Sequence, residues 1–175
     1  MKDLINFYLE RGQLIKDEKV IVLSKEYLKK AKNNLITMKI LSEIQENKKA
    51  RDLLKIPSDY NSDEWVVITG YYAMYASALA LIAKIGYKSK NHTTTISLLE
   101  EFFIKKKLMS KEDINLLRKA ILQKEEIEKL SEARHKREIA QYSVTKQTTK
   151  EIAESIKQDA YNFIKRVETI LIAEG

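Results

Sequence analysis

Residues 66–83 read VVITGYYAMYASALALIA, from Val66 to Ala83, without a charge, between Glu64 on one side and Lys84 on the other. The stretch is long enough to raise the question of a membrane span. As a helix rising 1.5 Å per residue it covers roughly 27 Å, short of the ~30 Å hydrocarbon core of a bilayer. Thr69, Gly70, Tyr71, Tyr72, Tyr75 and Ser77 lie within it, too polar a set for a lone helix in lipid. No second stretch of this kind occurs, so no bundle of spans is expected and no membrane partner. The segment reads as the central helix of a helical domain, buried on most sides by other helices.

The spacing inside the segment defines two stripes. Trp65, Ile68, Tyr72, Tyr75, Leu79 and Ile82 recur at steps of three and four, which places large side chains along one helix face. Beside them run Thr69, Ala73, Ala76, Ala80 and Ala83, small enough to let a neighbouring backbone come close. Asn61 with Glu64 three residues on is read as a capping box opening the helix near Ser62. Gly86 is read as the residue just past its end at Ile85.

Composition agrees with an all-α domain. A chain of 175 residues fits one domain, taken here as residues 1–175 with a core over about 16–172. There is no cysteine, which removes disulfides, thiolate catalysis and Cys-based zinc sites and favours a cytoplasmic setting. One proline and four glycines leave few turns for a β-rich fold. The N-terminal MKDLINFYLERG mixes charges into its apolar residues and lacks a signal-peptide core. A net charge of +7 and a pI near 9.3 fit an anionic partner.

Periodicity places four long helices, over about Lys16–Gln45, Ser62–Ile85, Ser110–Gln141 and Thr148 onward. Short ones are expected over Met1–Arg11, ending at Gly12, over Lys48–Lys55, and over Thr93–Lys107, with Ile96, Leu99 and Phe103 facing in. On the first long helix Leu23, Tyr27, Ala31, Leu35, Met38 and Leu41 form the inner side. On the last, Ala153, Ile156, Ala160, Phe163, Val167 and Ile170 step by three and four. Ser110 with Asp113 and Thr148 with Glu151 are read as caps. The architecture expected is an antiparallel four-helix bundle with short accessory helices. Its core is expected to hold Trp65, Ile68, Tyr72, Leu79, Ile82, Phe103, Ile121, Ile156, Phe163 and Val167.

Residues 64–103, EWVVITGYYAMYASALALIAKIGYKSKNHTTTISLLEEFF, resemble the hallmark of HEPN (higher eukaryotes and prokaryotes nucleotide-binding) proteins. The likeness is to the small stand-alone prokaryotic members, with a YYAMFHA-like helix, a Gly-containing turn, a Thr-His segment and a helix ending in aromatics. It continues over Leu117–Tyr142, where EARHKREIAQY stands at the family's Arg-rich helix end. In active members an Arg followed by a His four to six residues on supplies the chemistry. Two copies of that motif meet across a homodimer and cleave RNA without a metal. The resemblance therefore implies a homodimer, an RNA or nucleotide ligand, and a toxin–antitoxin pairing with a small nucleotidyltransferase antitoxin.

Such a pair has a clear physical sense: Arg offers a fixed charge and a fork of donors to a phosphate, and His moves a proton near neutral pH. This chain departs from it. Arg137 is followed five residues on by Tyr142, and His135 directly follows Arg134, about 100° around the helix. A tyrosine with a pKa near 10 is a poor base at neutral pH, but its hydroxyl can orient a phosphate or a water. Arg137 and Tyr142 are the catalytic candidates, and Arg134, Lys136, Arg137 and Tyr142 the candidates for RNA or nucleotide binding. RNase activity is expected to be weak or absent.

Each feature also has a structural reading. Arg137 suits a helix C-terminus, and Tyr142 suits an interface with its ring buried and hydroxyl wet. His92 reads as a cap or hydrogen-bonded loop residue, and His135 as solvated. Asp59, Asp63 and Glu64 read as caps, and two histidines give a metal site little support. The clusters Lys29–Lys30–Lys32, Lys48–Lys49–Arg51 and Lys105–Lys106–Lys107 read as solvated faces. Arg134–Lys136–Arg137 coincides with the family's functional locus. No Gly-rich phosphate loop, GxSxG or HExxH occurs, and no cofactor is implied. Three functions stay open: an RNA- or nucleotide-binding HEPN protein with little intrinsic RNase activity, an active ribonuclease toxin, and a structural or protein-interaction dimer.

Overall fold

A computed structural model describes residues 2–136 and 142–173, with side-chain surroundings given for 4–129 and 149–173. Seven α-helices and one short two-stranded ribbon follow in the order α1 (Lys2–Glu10), β1 (Leu14–Lys16), α2 (Leu23–Glu46), α3 (Lys48–Leu53), α4 (Asp63–Lys84), β2 (Tyr87–Ser89), α5 (His92–Leu99), α6 (Lys111–Lys136) and α7 (Tyr142–Ala173). A 3₁₀ turn over Glu18–Val22 leads into α2, and a π-helical turn over Glu100–Ile104 extends α5.

Helix α4 is the hub, packed against α2, α6 and α7. Its small face meets two neighbours at once. A Cβ at Gly70 would lie 3.1 Å from Ile156 Cγ1 and 3.1 Å from Met38 Sδ, so α2 and α7 approach α4 where it has no side chain. Ala73, Ala80 and Ala83 are fully buried along the same helix. The apolar periodicity of α7 is realised, with Ala153, Ile156, Ala160, Phe163, Val167 and Ile170 all buried. On α5 and its extension Ile96, Leu99 and Phe103 face in as expected. The apolar length of α4 would let it cross a membrane, but 78% of its most apolar window is buried inside the fold.

Side-chain bonds fix the helix directions. Ser24 donates to the Ala80 carbonyl and Ser62 to the Leu41 carbonyl, both at 2.9 Å, so α2 and α4 are antiparallel. Lys32 pairs with Glu168 at 2.6 Å, and Lys157 donates to Ser42 at 2.8 Å, making α2 and α7 antiparallel. Lys119 pairs with Asp159 at 2.7 Å and Arg166 with Asp113 at 3.8 Å, making α6 and α7 antiparallel. The end of α2, the start of α4, the end of α6 and the start of α7 therefore gather at one end of the molecule.

Several local expectations hold. Gly12 and Gly86 have φ of +64° and +76°, the left-handed region that glycine adopts without strain. Ser110 and Asp113 cap reciprocally, Ser110 N–H to Asp113 Oδ2 at 2.8 Å and Asp113 N–H to Ser110 Oγ at 3.2 Å. Three basic clusters have structural surroundings: Lys32 pairs with Glu168, Lys105 with Glu101 at 2.6 Å, and Arg51 donates to the Pro57 carbonyl at 2.7 Å.

Other expectations need correction. Trp65 and Tyr72, placed in the core by their size, are 55% and 42% exposed, while Ile68 and Leu79 are half-buried. The core takes the small face of α4, and the bulky seam is exposed at Trp65 and Tyr72 while its last member, Ile82, is buried. The segment from Lys16 to Val22 is strand and 3₁₀ turn, because β1 pairs antiparallel with β2, Leu14 opposite Ser89. Asn61 meets the start of α4 through Asp63, whose N–H it accepts at 2.7 Å. Helix α7 begins at Tyr142, so Thr148 lies inside it and not at its start.

Phe163 is fully buried, and replacing it by alanine is expected to cost about 3–5 kcal/mol. Trp65→Ala should change the stability of the monomeric unit by less than about 1 kcal/mol. Urea denaturation measures both, and equal losses would mean that the inner face of α4 is wrongly identified.

Candidate functional site

The four sequence-derived site residues all belong to the α6–α7 connection. Arg134 and Lys136 are in the last turns of α6 and Tyr142 is the first residue of α7. Arg137 and the residues to 141 lie outside the described residues, as do the side-chain surroundings of Arg134, His135, Lys136 and Tyr142. The helix directions place the end of α6 and the start of α7 at the end where α4 begins.

A cavity of about 710 Å³ opens at that end between α2, α4 and α7, lined by Gln45, Asn61, Asp63, Val66, Lys150 and Lys157 among others. Its floor is apolar, with Val66 and Ala153 both 2% exposed. Its polar groups are tied to the start of α4. Asn61 Nδ2 donates to Asp63 Oδ2 at 2.9 Å, and the Ser62 N–H donates to Gln45 Oε1 at 3.2 Å. Asp63 is buried at the first turn of α4, where the helix dipole favours a carboxylate. Lys157 pairs with Glu154 on its own helix at 3.0 Å and with Glu46 of α2 at 3.7 Å, so the two carboxylates share one ammonium. Lys150 is exposed on α7, about two turns and roughly 12 Å along the axis from Tyr142. No sequence pattern announces this cavity, because its lining comes from three helices far apart in the chain.

A second polar centre sits along α6, roughly 18 Å from Lys136 at the level of Lys124. There the fold gathers Tyr71 and Tyr75 of α4 with His92, the first residue of α5. Asn91 caps α5 by accepting the Thr94 N–H at 2.8 Å, and the β1–β2 ribbon fixes the approach to it. His92 Nε2 and the Tyr71 hydroxyl are 2.7 Å apart, and the Tyr75 ring meets the imidazole edge-on at 4.7 Å. Tyr75 reaches Thr95 Oγ1 at 3.3 Å. Lys124 lies 5.7 Å from the centre of the Tyr71 ring. A cavity of about 390 Å³ between α5 and α6 borders the same histidine, with Arg118, Glu125 and Ile121 in its wall. The expectation that His92 is a hydrogen-bonded residue is met, although Asn91, not His92, provides the cap.

Burial holds the Tyr71 hydroxyl above its ordinary range, reinforced by Tyr75, Tyr72, Glu128 and Glu125. Burial also raises Tyr75. Burial lowers His92, with Glu125 pulling it up and Lys124 pushing it down. The imidazole is therefore neutral near pH 7, a hydrogen-bonding wedge that joins α4 to α5. A group whose folded pKa lies below its unfolded value stabilises the fold above the unfolded pKa of about 6.5 and loses that contribution as pH falls. The melting temperature of the wild type should accordingly drop more than that of His92→Gln between about pH 7.5 and about pH 5. Equal drops would remove His92 from the acid response.

No curated protein and no solved structure matches this chain. The family comparison is positive: the HEPN domain matches residues 24–170, from the start of α2 almost to the end of α7. The match takes in the uncharged hub helix, the His92 segment and the Arg134–Tyr142 connection. The chain belongs to the HEPN domain family, whose functions concern nucleotides and RNA.

Proposed function

We propose that this HEPN protein binds RNA or a nucleotide phosphate at the α6–α7 connection, with little or no ribonuclease activity of its own. The observation that carries the reading is the Arg134–Lys136–Arg137 cluster, followed by Tyr142 at the family's catalytic His position. Arg134, Lys136 and Arg137 attract phosphate, with affinity that falls as salt rises. Tyr142 supplies a hydroxyl that donates to a phosphate oxygen or a water, but no base for neutral pH. Lys150 extends the positive charge along α7 toward the cavity at the start of α4.

The chain also works as a homodimer in this reading. Tyr71 and Met74 of α4 are 3% and 0% exposed within one chain and are not available to a partner. The support comes instead from Trp65 and Tyr72, exposed one above the other on α4, with Ile68 and Tyr75 half-buried beside them. A two-fold contact on such a seam is self-complementary. A nucleotidyltransferase antitoxin belongs to the same reading and rests on the family alone, and a cytoplasmic setting rests on the cysteine-free composition.

Binding and cleavage of a labelled single-stranded RNA, at low and at physiological salt, test the site. Arg137→Ala is expected to weaken binding without unfolding the protein, and Tyr142→Phe to leave packing intact while removing the hydroxyl's contribution. Tyr142→His should raise cleavage above a wild-type level near background. Vigorous cleavage by both wild type and Arg137→Ala would place the site elsewhere. Absence of binding at low salt, where electrostatic attraction is strongest, would transfer the function to a protein partner. Light scattering should report a dimer for the wild type and a monomer for the double variant Trp65→Glu, Tyr72→Glu; a wild-type monomer at high micromolar concentration would contradict the dimer.

A further inference from the structure

We propose that the cavity at the start of α4 receives one nucleobase of the bound RNA and selects bases that carry an exocyclic amino group. The proposal rests on the α6–α7 reading for the strand and adds what that site recognises. The cavity, about 710 Å³, falls within the ~300–1,000 Å³ of small-ligand pockets, and its chemistry divides as a base requires. Val66 and Ala153 supply its apolar lining. Asn61, Asp63 and Gln45 stand at its edge, the amide and carboxylate types that read base edges.

The charges favour an uncharged base over a phosphate inside the cavity. Glu46 and Glu154 share the single ammonium of Lys157, so the lining, with Asp63 and Lys150, carries more carboxylates than cations. The remaining carboxylate, Asp63, is buried and held by Asn61 Nδ2. A buried carboxylate repels a phosphate but accepts from an amino group. Adenine, cytosine and guanine carry that amino group and uracil does not. Lys150 lines the same cavity, roughly 12 Å along α7 from Tyr142, so it can hold the phosphate between the base in the cavity and the strand at the connection. Sequence-specific RNA recognition commonly takes this form, a splayed base read on its edge with its backbone held by cations.

The test measures binding of hexamers of adenosine, cytidine and uridine to the full-length wild type, Asp63→Asn, Lys150→Gln and Arg137→Ala by fluorescence anisotropy. Asparagine at 63 can still accept from Asn61, and thermal melting confirms folding of each variant. The expected result is that the wild type prefers the adenosine and cytidine hexamers to the uridine hexamer by about 10-fold or more, in line with one hydrogen bond to a charged group. Asp63→Asn should narrow that ratio while keeping affinity for uridine. Lys150→Gln should weaken all three hexamers alike. Equal wild-type affinity for all three hexamers overturns the base cavity while leaving the phosphate site intact. A preference that survives Asp63→Asn unchanged also overturns it. If no hexamer binds the wild type, or if Arg137→Ala binds as well as wild type, the phosphate reading fails and the cavity reading fails with it.

Discussion

At Gly70 of α4 a side chain would stand 3.1 Å from both Met38 on α2 and Ile156 on α7. Side chains of two neighbouring helices close on one residue without a Cβ. Ala73, Ala80 and Ala83 continue that small face, and close packing of this kind tolerates neither an added methylene nor a void cheaply. The rest of the architecture follows. With α2 and α7 seated on the small face, the bulky residues of α4 are left to point outward or toward α5 and α6. Tyr71 and Tyr75 meet His92; Trp65 and Tyr72 meet solvent. The antiparallel ion pairs then gather the ends of four helices on one side, and the family's functional segment is part of that end.

Function in this account is a division of labour along the bundle. The His92 centre works as a structural wedge: a neutral imidazole held by Tyr71 and Tyr75, with α5 capped by Asn91 and approached through the β1–β2 ribbon. In the proposed reading the end of α6 and the start of α7 hold phosphate. There an Arg-rich sequence with a tyrosine in place of the family's motif histidine would keep the means of holding phosphate and give up the means of moving a proton at neutral pH. The neighbouring cavity adds what phosphate contacts lack, since contacts to the backbone position a strand and contacts to base edges distinguish sequences.

Much of the fold was legible in the chain because its signals are local. The uncharged run marked α4, the three-and-four stepping of Ala153 to Ile170 marked α7, and Gly12, Gly86 and the Ser110–Asp113 pair marked boundaries through backbone or capping chemistry. The orientation of α4 was not legible. Large residues at Trp65 and Tyr72 look like core when size is the only criterion, whereas the helix buries the face that admits two backbones. The β1–β2 ribbon was hidden because Leu14–Lys16 and Tyr87–Ser89 are too short to show a period and pair across most of the N-terminal half. Of the site, the Arg134–Tyr142 cluster came from resemblance to a family, not from spacing alone. The cavity of Asn61, Asp63 and Lys150 exists only once α2, α4 and α7 are assembled, so no linear pattern carries it.

Hydrogen–deuterium exchange of the full-length protein, with and without a short single-stranded RNA, tests the central claim most directly. The account predicts slowed exchange in peptides covering the end of α6, the start of α7 and the start of α4, with the middle of α4 already the slowest-exchanging segment in the free protein. Protection confined to α1, the β ribbon and α5, with the α6–α7 connection unchanged, would contradict it.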